Sequence, residues 1–270
     1  MHKITAKKSL GQHFLNSKHV LDQIISAAKI NKDEQVLEIG PGTGVLTRAL
    51  LTAGAKVTAI EKDDRVLGLL KASFVPEIES GQLEIIHGDV LDGSLAAILA
   101  LQNKPFALIA NIPYYITGAI LERFLEGEIR PNRMVILVQK EVAERIVARD
   151  GKESVLSMSV KAFGTPKIVA TVPPGAFTPP PTVDSAILAI ENISDERFQT
   201  MPDRIPMFFK AVRAGFAHKR KYLKSNLAEF FASRGGSDSA DRIWERLGID
   251  PRVRAEQLTI GQWIEIVKCE

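Results

Sequence analysis

Apolar positions follow two rhythms along this chain. Between residues 35 and 140, short unbroken apolar runs recur: QVLEIG (35–40), KVTAIE (56–61), LEIIHGD (83–89), FALIAN (106–111) and RMVILVQK (133–140). Helical stretches such as VLTRALLTAG (45–54) separate most of them. Runs of this length without alternation read as strands buried on both faces, and strand–helix alternation predicts a parallel sheet covered by helices. Two later strands, KIVATV (167–172) and SAILAIE (185–191), flank PPGAFTPPPTVD (173–184). Proline density there predicts no regular structure.

The ends differ from this middle. Residues 1–30 read as a basic, loop-like arm followed by a helix. In SKHVLDQIISAAK (17–29), Val20, Leu21, Ile24, Ile25 and Ala28 share one helical face, with Ser17 as N-cap. NISDERFQTMPDR (192–204) is polar and aperiodic, which predicts a boundary. Beyond it, IPMFFKAVRAGF, KRKYLKSNLAEFF, ADRIWERLG and TIGQWIEIVK carry helical periodicity. The expected division is an arm and helix over 1–30, an α/β domain over 31–200, and a small all-helical domain over 205–270.

Composition adds little until charge is placed along the chain. The 270 residues are 45% hydrophobic and 25% charged, ordinary for a globular chain with a sizeable core. Net charge is only +3, yet the charged residues from Met1 to Leu21 are Lys3, Lys7, Lys8 and Lys18, with no acid. RAGFAHKRKYLK (213–224) holds Arg213, Lys219, Arg220, Lys221 and Lys224, again with no acid. Two such blocks suggest a directed electrostatic face. The single cysteine, Cys269, excludes a disulfide framework or cysteine metal site and fits a reducing cytoplasm. The five histidines form no zinc-binding pair, so no metal is expected. Neither a signal peptide nor a membrane-spanning run is visible.

The first chemistry lies in EIGPGTG, Glu38 to Gly44, where the first strand meets a helix. Gly40, Gly42 and Gly44 are spaced by two, and Val45 stands where a dinucleotide fingerprint needs its third glycine. No phosphate-binding P-loop occurs either. The pattern E-x-G-x-G-x-G resembles the S-adenosylmethionine loop of class I methyltransferases. Glu61 closes the second strand, where a carboxylate can accept hydrogen bonds from ribose hydroxyls. Asp89, after the third strand, is placed for an adenine amine. Any single acid of this kind can be a solvated strand end; the loop and both acids in register argue for a cofactor.

The second lies in ALIANIPYYITG (107–118), where a core strand ends on an amide followed by Ile112, Pro113 and Tyr114. This is the N-x-P-Y form of the motif of enzymes that methylate exocyclic amines. An adenine N6 lone pair is delocalised into its ring. Accepting its two hydrogens on the Asn111 side-chain oxygen and the Ile112 carbonyl favours a pyramidal, nucleophilic nitrogen. Pro113 fixes the turn, and Tyr114 offers a face for an extruded base. Tyr115 reads as packing.

KKSLGQHFL, EIGPGTG, NIPYYIT, QKEVAERI, FTPPPTVDSA and KRKYLKSNL occur in this order. Together they resemble the ribosomal RNA adenine dimethyltransferase family, in the type that acts on the small subunit, over Lys7 to about Leu258. The resemblance implies a class I Rossmann-like sheet with a small C-terminal helical domain. It implies S-adenosylmethionine as cofactor and N6,N6-dimethylation of two adjacent adenosines in the 3′-terminal hairpin loop of 16S rRNA. The implied partner is small-subunit rRNA in an assembling particle, and the implied enzyme is a monomer in the cytoplasm, away from any membrane. Residue by residue, it places His13, Leu15, Gly40, Gly42, Glu61, Asp89, Val90 and Asn111 on the cofactor. Position 13 is more usually asparagine in the family, so histidine leaves open a side-chain or backbone contact. Asn111 to Tyr114 would be catalytic, and Phe177 would sandwich the target base opposite Tyr114, unless it is a core residue. Lys219, Arg220, Lys221 and Lys224 would grip rRNA phosphates. Glu141 and Arg145 match the pattern without an assignable role. The alternatives are a relative that methylates 23S rRNA in macrolide resistance, a DNA adenine methyltransferase, and a non-catalytic assembly factor.

Overall fold

The computed structural model describes residues 7, 10–92, 104–199, 204–232, 244–250 and 252–268. Lys3 and Lys8 of the arm, the opening of ADRIWERLG (240–243) and Cys269 lie outside the described residues. By their contacts the residues group into two units, one formed by Met1–Ala143 with Gly164–Ile193 and one by Glu144–Phe163 with Ser194–Glu270.

The first unit is built on a seven-stranded sheet. Its strands are β2 (Gln35–Ile39), β3 (Lys56–Glu61), β4 (Leu83–His87), β5 (Phe106–Asn111), β6 (Arg133–Gln139), β7 (Thr165–Val172) and β9 (Ser185–Glu191), in the order β4-β3-β2-β5-β6-β9-β7. The apolar runs explain the elements: β5 and β6 are buried along almost their whole length because helices cover both faces. Five strands, β2 to β6, pair in parallel as expected. The other two do not. β9 lies antiparallel to β6 and to β7, since β7 and β9 are joined by a connection without a crossover helix.

β2 has β3 on one side and β5 on the other, so strand order reverses at β2. The register places the carboxyl ends of β2, β3, β4 and β5 along one edge. A crevice opens at such a reversal. Helix α1 (Lys18–Ala28) buries Val20, Ile24 and Ala28, and Ser17 caps it by accepting from the Val20 N–H. α2 (Val45–Thr52) and α3 (Asp64–Ser73) follow β2 and β3.

The proline-rich connection is not irregular throughout. Phe177–Thr178 forms a short strand, β8, that pairs antiparallel with β1 (Phe14–Leu15) in the arm. Asn16 reinforces the pairing, donating from its backbone to Ala176 O and from Nδ2 to Thr178 Oγ1. Prolines flank these two residues without interrupting them.

The second unit is helical, with helices Val155–Lys161, Ile205–Gly215, Leu223–Ala232 and Ile260–Lys268. It takes up residues 144–163, which the sequence places in the α/β domain. Aromatic packing supplies the reason: the Phe163 ring lies 5.4 Å from that of Phe198 and 5.9 Å from that of Phe209. KRKYLKSNLAEFF is not helical throughout. Its helix starts at Leu223, so Lys219, Arg220 and Lys221 stand exposed in the preceding turn and Lys224 alone is on the helix.

Candidate active site

The loop between β2 and α2 holds Gly40, Gly42 and Gly44 at φ of 64°, 56° and 79°, a left-handed path that side chains rarely follow. Their surroundings differ. A Cβ on Gly44 would stand 2.6 Å from the Phe74 ring and one on Gly42 3.0 Å from the Phe14 ring, whereas one on Gly40 would meet nothing within 4 Å. Two glycines thus permit packing, and Gly40 opens onto a cavity at the carboxyl ends of the strands.

Carboxylates line the same cavity. Glu61 is buried, and its two oxygens accept the backbone N–H groups of Gly42 (3.1 Å) and Asp63 (2.8 Å). Burial raises its pKa, and those two hydrogen bonds offset part of the rise. Glu38 is buried on β2, and burial pushes its carboxyl up to about 8. Thr47 pulls the other way from nearby, though outside hydrogen-bond geometry: neither Thr47 Oγ1 nor Glu38 Oε2 has a partner. Asp89 accepts from Lys62 Nζ at 2.7 Å and from the Leu91 N–H at 2.9 Å, and the Lys62 bond holds its pKa low.

The arm closes over this edge. Gln12 Nε2 donates to Asp63 Oδ2 at 2.9 Å, and Arg65 holds that buried carboxyl down to about 2. The His13 carbonyl accepts from Asn111 Nδ2 at 2.9 Å, which fixes the amide with Oδ1 as its free acceptor. Tyr114 follows in a 3-10 turn that starts after Pro113, at φ −55° and ψ 128°. Its hydroxyl meets Ser185 Oγ at 2.5 Å, pinning the ring. His13, Leu15, Gly40, Gly42, Glu61, Asp89, Val90, Asn111, Ile112, Pro113 and Tyr114 therefore converge on one cavity.

Phe177, expected either to sandwich the target base or to be a core residue, is 3% exposed here, pairs with Leu15 and packs in the core. Tyr115, read as packing, is instead 62% exposed at the cavity rim. Glu141 and Arg145 are exposed on the helix Lys140–Val147. Lys219, Arg220, Lys221 and Lys224 are exposed in the helical unit. Sequence reasoning missed Gln12, Glu38, Asp63 and Ser185. The arm motif and the acid opening the glycine loop were signals for the first two; nothing local marks Ser185. Among the described residues no group of three His, Cys, Asp or Glu could hold a metal, and no helix is long and apolar enough to cross a membrane.

The residues fit an adenosyl amino-acid cofactor. The space in front of Gly40 lets a ligand end approach the backbone, and Glu61 and Asp89 offer carboxylate acceptors along the same cavity.

Comparison with known proteins bears on what this cavity serves. Residues 3–269 match the family described as Ribosomal RNA adenine dimethylase. The chain belongs to that family. Relatives named "Ribosomal RNA small subunit methyltransferase A" include one from Dehalococcoides mccartyi (strain ATCC BAA-2266 / KCTC 15142 / 195), 43% identical over 96% of this chain and 87% of its own length. One from Lactiplantibacillus plantarum (strain ATCC BAA-793 / NCIMB 8826 / WCFS1) is 37% identical over 97% and 89%. A dimethyladenosine transferase from Plasmodium falciparum has a similar structure, with a TM-score of 0.77 at 28% identity, covering 94% of this chain and 96% of that one. The 23S rRNA methyltransferase ErmE, with a TM-score of 0.72 at 23% identity over 94% and 98%, shares the fold. This dimethylase is thus a class I methyltransferase in architecture and family, and its chemistry is methyl transfer to ribosomal RNA adenine.

Proposed function

We propose that this dimethylase methylates N6 of two adjacent adenosines in the 3′-terminal hairpin loop of 16S rRNA, within an assembling small-subunit particle in the cytoplasm. The names of relatives 43% and 37% identical to this chain and the small-subunit motif set support that choice. One observation carries the chemistry: the Asn111 amide is locked by donation to the His13 carbonyl, leaving Oδ1 to accept.

S-adenosylmethionine supplies an electrophilic methyl group on a sulfonium. Glu61 would hold the ribose, Asp89 with Val90 the adenine, and Gly40 would let the methionine end come close to the backbone; all four line the cavity. Leu15 and the His13 segment cover the site from the arm. Asn111 Oδ1 and the Ile112 carbonyl accept the two N6 hydrogens, localising the lone pair, and Tyr114 supports the base. A strong general base is unnecessary, because the ammonium product is acidic enough to lose its proton to water. Alignment is the chain's main contribution to rate. Lys219, Arg220, Lys221 and Lys224 contact phosphates and position the RNA without reading sequence.

The test is transfer of labelled methyl from S-adenosylmethionine to small-subunit particles lacking the modification, beside large-subunit rRNA and duplex DNA. Dimethyladenosine from small-subunit particles alone supports the reading. Label in large-subunit rRNA would assign the chain to the 23S type, and binding without label would leave an assembly factor.

A further inference from the structure

Resting on that reading, we infer that Ser185 is a positioning residue for methyl transfer: its hydroxyl acts through Tyr114, holding in place the ring that supports the target adenine.

The direction of β9 makes this possible. β9 runs antiparallel to β6, and the register pairs Gln139, the last residue of β6, with Ser185, the first of β9. The amino end of β9 therefore lies at the edge where the parallel strands end, beside Asn111 at the close of β5. A parallel strand in this place would bring its last residue to that edge and leave Ser185 at the opposite one. β7 flanks β9 on its other side, with Val172 opposite Ser185, so the serine is held between two strands and is fully buried. β6 separates β5 from β9. A Tyr114 side chain that reaches Ser185 thus crosses the end of a whole strand, two inter-strand steps of about 4.8 Å each.

The brace fixes the side chain at both ends. At its root, the Ile116 N–H donates to the Pro113 carbonyl at 3.1 Å and closes the turn that carries Tyr114. At its tip, the hydroxyl meets Ser185 Oγ at 2.5 Å. Burial raises the phenol pKa, so the hydroxyl keeps its proton and the bond persists across the physiological range. The hydroxyl is thereby committed to the protein, and Tyr114 has only its ring to offer a guest in the cavity it lines. A swing of the ring would break a hydrogen bond to a buried partner, which leaves a polar group unsatisfied. An adenine that enters therefore meets a ring already in place, and its ordering is not charged to the reaction.

The experiment compares wild type, Ser185→Ala, Tyr114→Phe and the double variant in methylation of small-subunit particles. Cofactor affinity is measured separately by calorimetry and stability by urea unfolding. Each single variant lowers kcat about three- to tenfold, the worth of one net hydrogen bond. The double variant falls no further than either single one, because both remove the same bond. KM for the particle and the Kd for S-adenosylmethionine stay within about twofold, since phosphate contacts dominate the first and neither hydroxyl is free to reach a ligand. A double variant slowed by the product of the two single effects would overturn the inference, because the hydroxyls would then act separately. Wild-type kcat in Ser185→Ala with a lowered urea midpoint would overturn it too, leaving the serine a role in folding alone. Tyr114→Phe keeps the ring and decides the matter if Ser185→Ala does not fold: wild-type kcat there overturns the inference. Methylation by wild type in the same assay separates these outcomes from failure of the functional reading itself.

Discussion

Glu38 makes the cavity's stability depend on pH, and Glu38→Gln isolates the effect. The carboxyl is buried without a partner on Oε2, and its pKa rises from 4.5 to about 8. Between those values the folded chain keeps a proton that the unfolded chain has released. Stability from this group therefore falls as pH rises through that window. Below the window both states are protonated, and above it both are ionised. Each pH unit within it costs about 1.4 kcal/mol, or about 3 kcal/mol between pH 5 and pH 7.5. Glutamine keeps the shape and cannot titrate, so the variant lacks this slope. Its amide adds a donor to the pocket, giving a constant offset, and the informative quantity is the change in the difference between proteins. Urea unfolding followed by circular dichroism from pH 5 to pH 8.5 measures it. With m of about 1–3 kcal/mol/M, the variant's midpoint should gain about 1 M or more on wild type across that range. A difference that stays constant with pH would refute the reasoning.

Gly44→Ala should destabilise the α/β unit by about 1–3 kcal/mol, because its Cβ would stand 2.6 Å from Phe74 at a φ of 79°; thermal unfolding reads it. Gly215→Ala should cost the helical unit a similar amount, since its Cβ would stand 2.3 Å from the fully buried Trp263, and tryptophan fluorescence during unfolding reports it. Replacing Lys219, Arg220 and Lys221 together by alanine should flatten the dependence of log affinity on log salt for rRNA by about 2, from about 0.7–0.9 per lost phosphate contact. An unchanged slope would remove these residues from the RNA interface.

Much of the fold was legible because its strands are bounded chemically. KVTAIE, FALIAN and SAILAIE coincide with β3, β5 and β9, since an acid or amide ends each apolar run. The cavity residues were legible for the same reason: parallel strands bring their terminal polar residues to one edge. What escaped was tertiary. A two-residue strand such as Phe177–Thr178 has no period, so its pairing with the arm and the burial of Phe177 left no local trace. Strand direction in β7 and β9 depends on the connection between them, which an apolar pattern does not encode. Helical periodicity around Lys219–Tyr222 did not reveal that the helix begins only at Leu223. Ser185 reads as the first residue of a strand, and only the fold brings its hydroxyl to Tyr114.

The central claim is that the Asn111 side-chain oxygen accepts the target amine on small-subunit rRNA. The most direct measurement is nucleoside mass spectrometry of 16S rRNA from cells lacking their own dimethylase and supplied with this chain or with its Asn111→Ala form. The account predicts dimethyladenosine at two adjacent positions with the native chain. With the variant it predicts a loss of at least about a hundredfold, while the folded protein and its rRNA binding are retained. Full dimethylation by the variant, or none by the native chain, would contradict it.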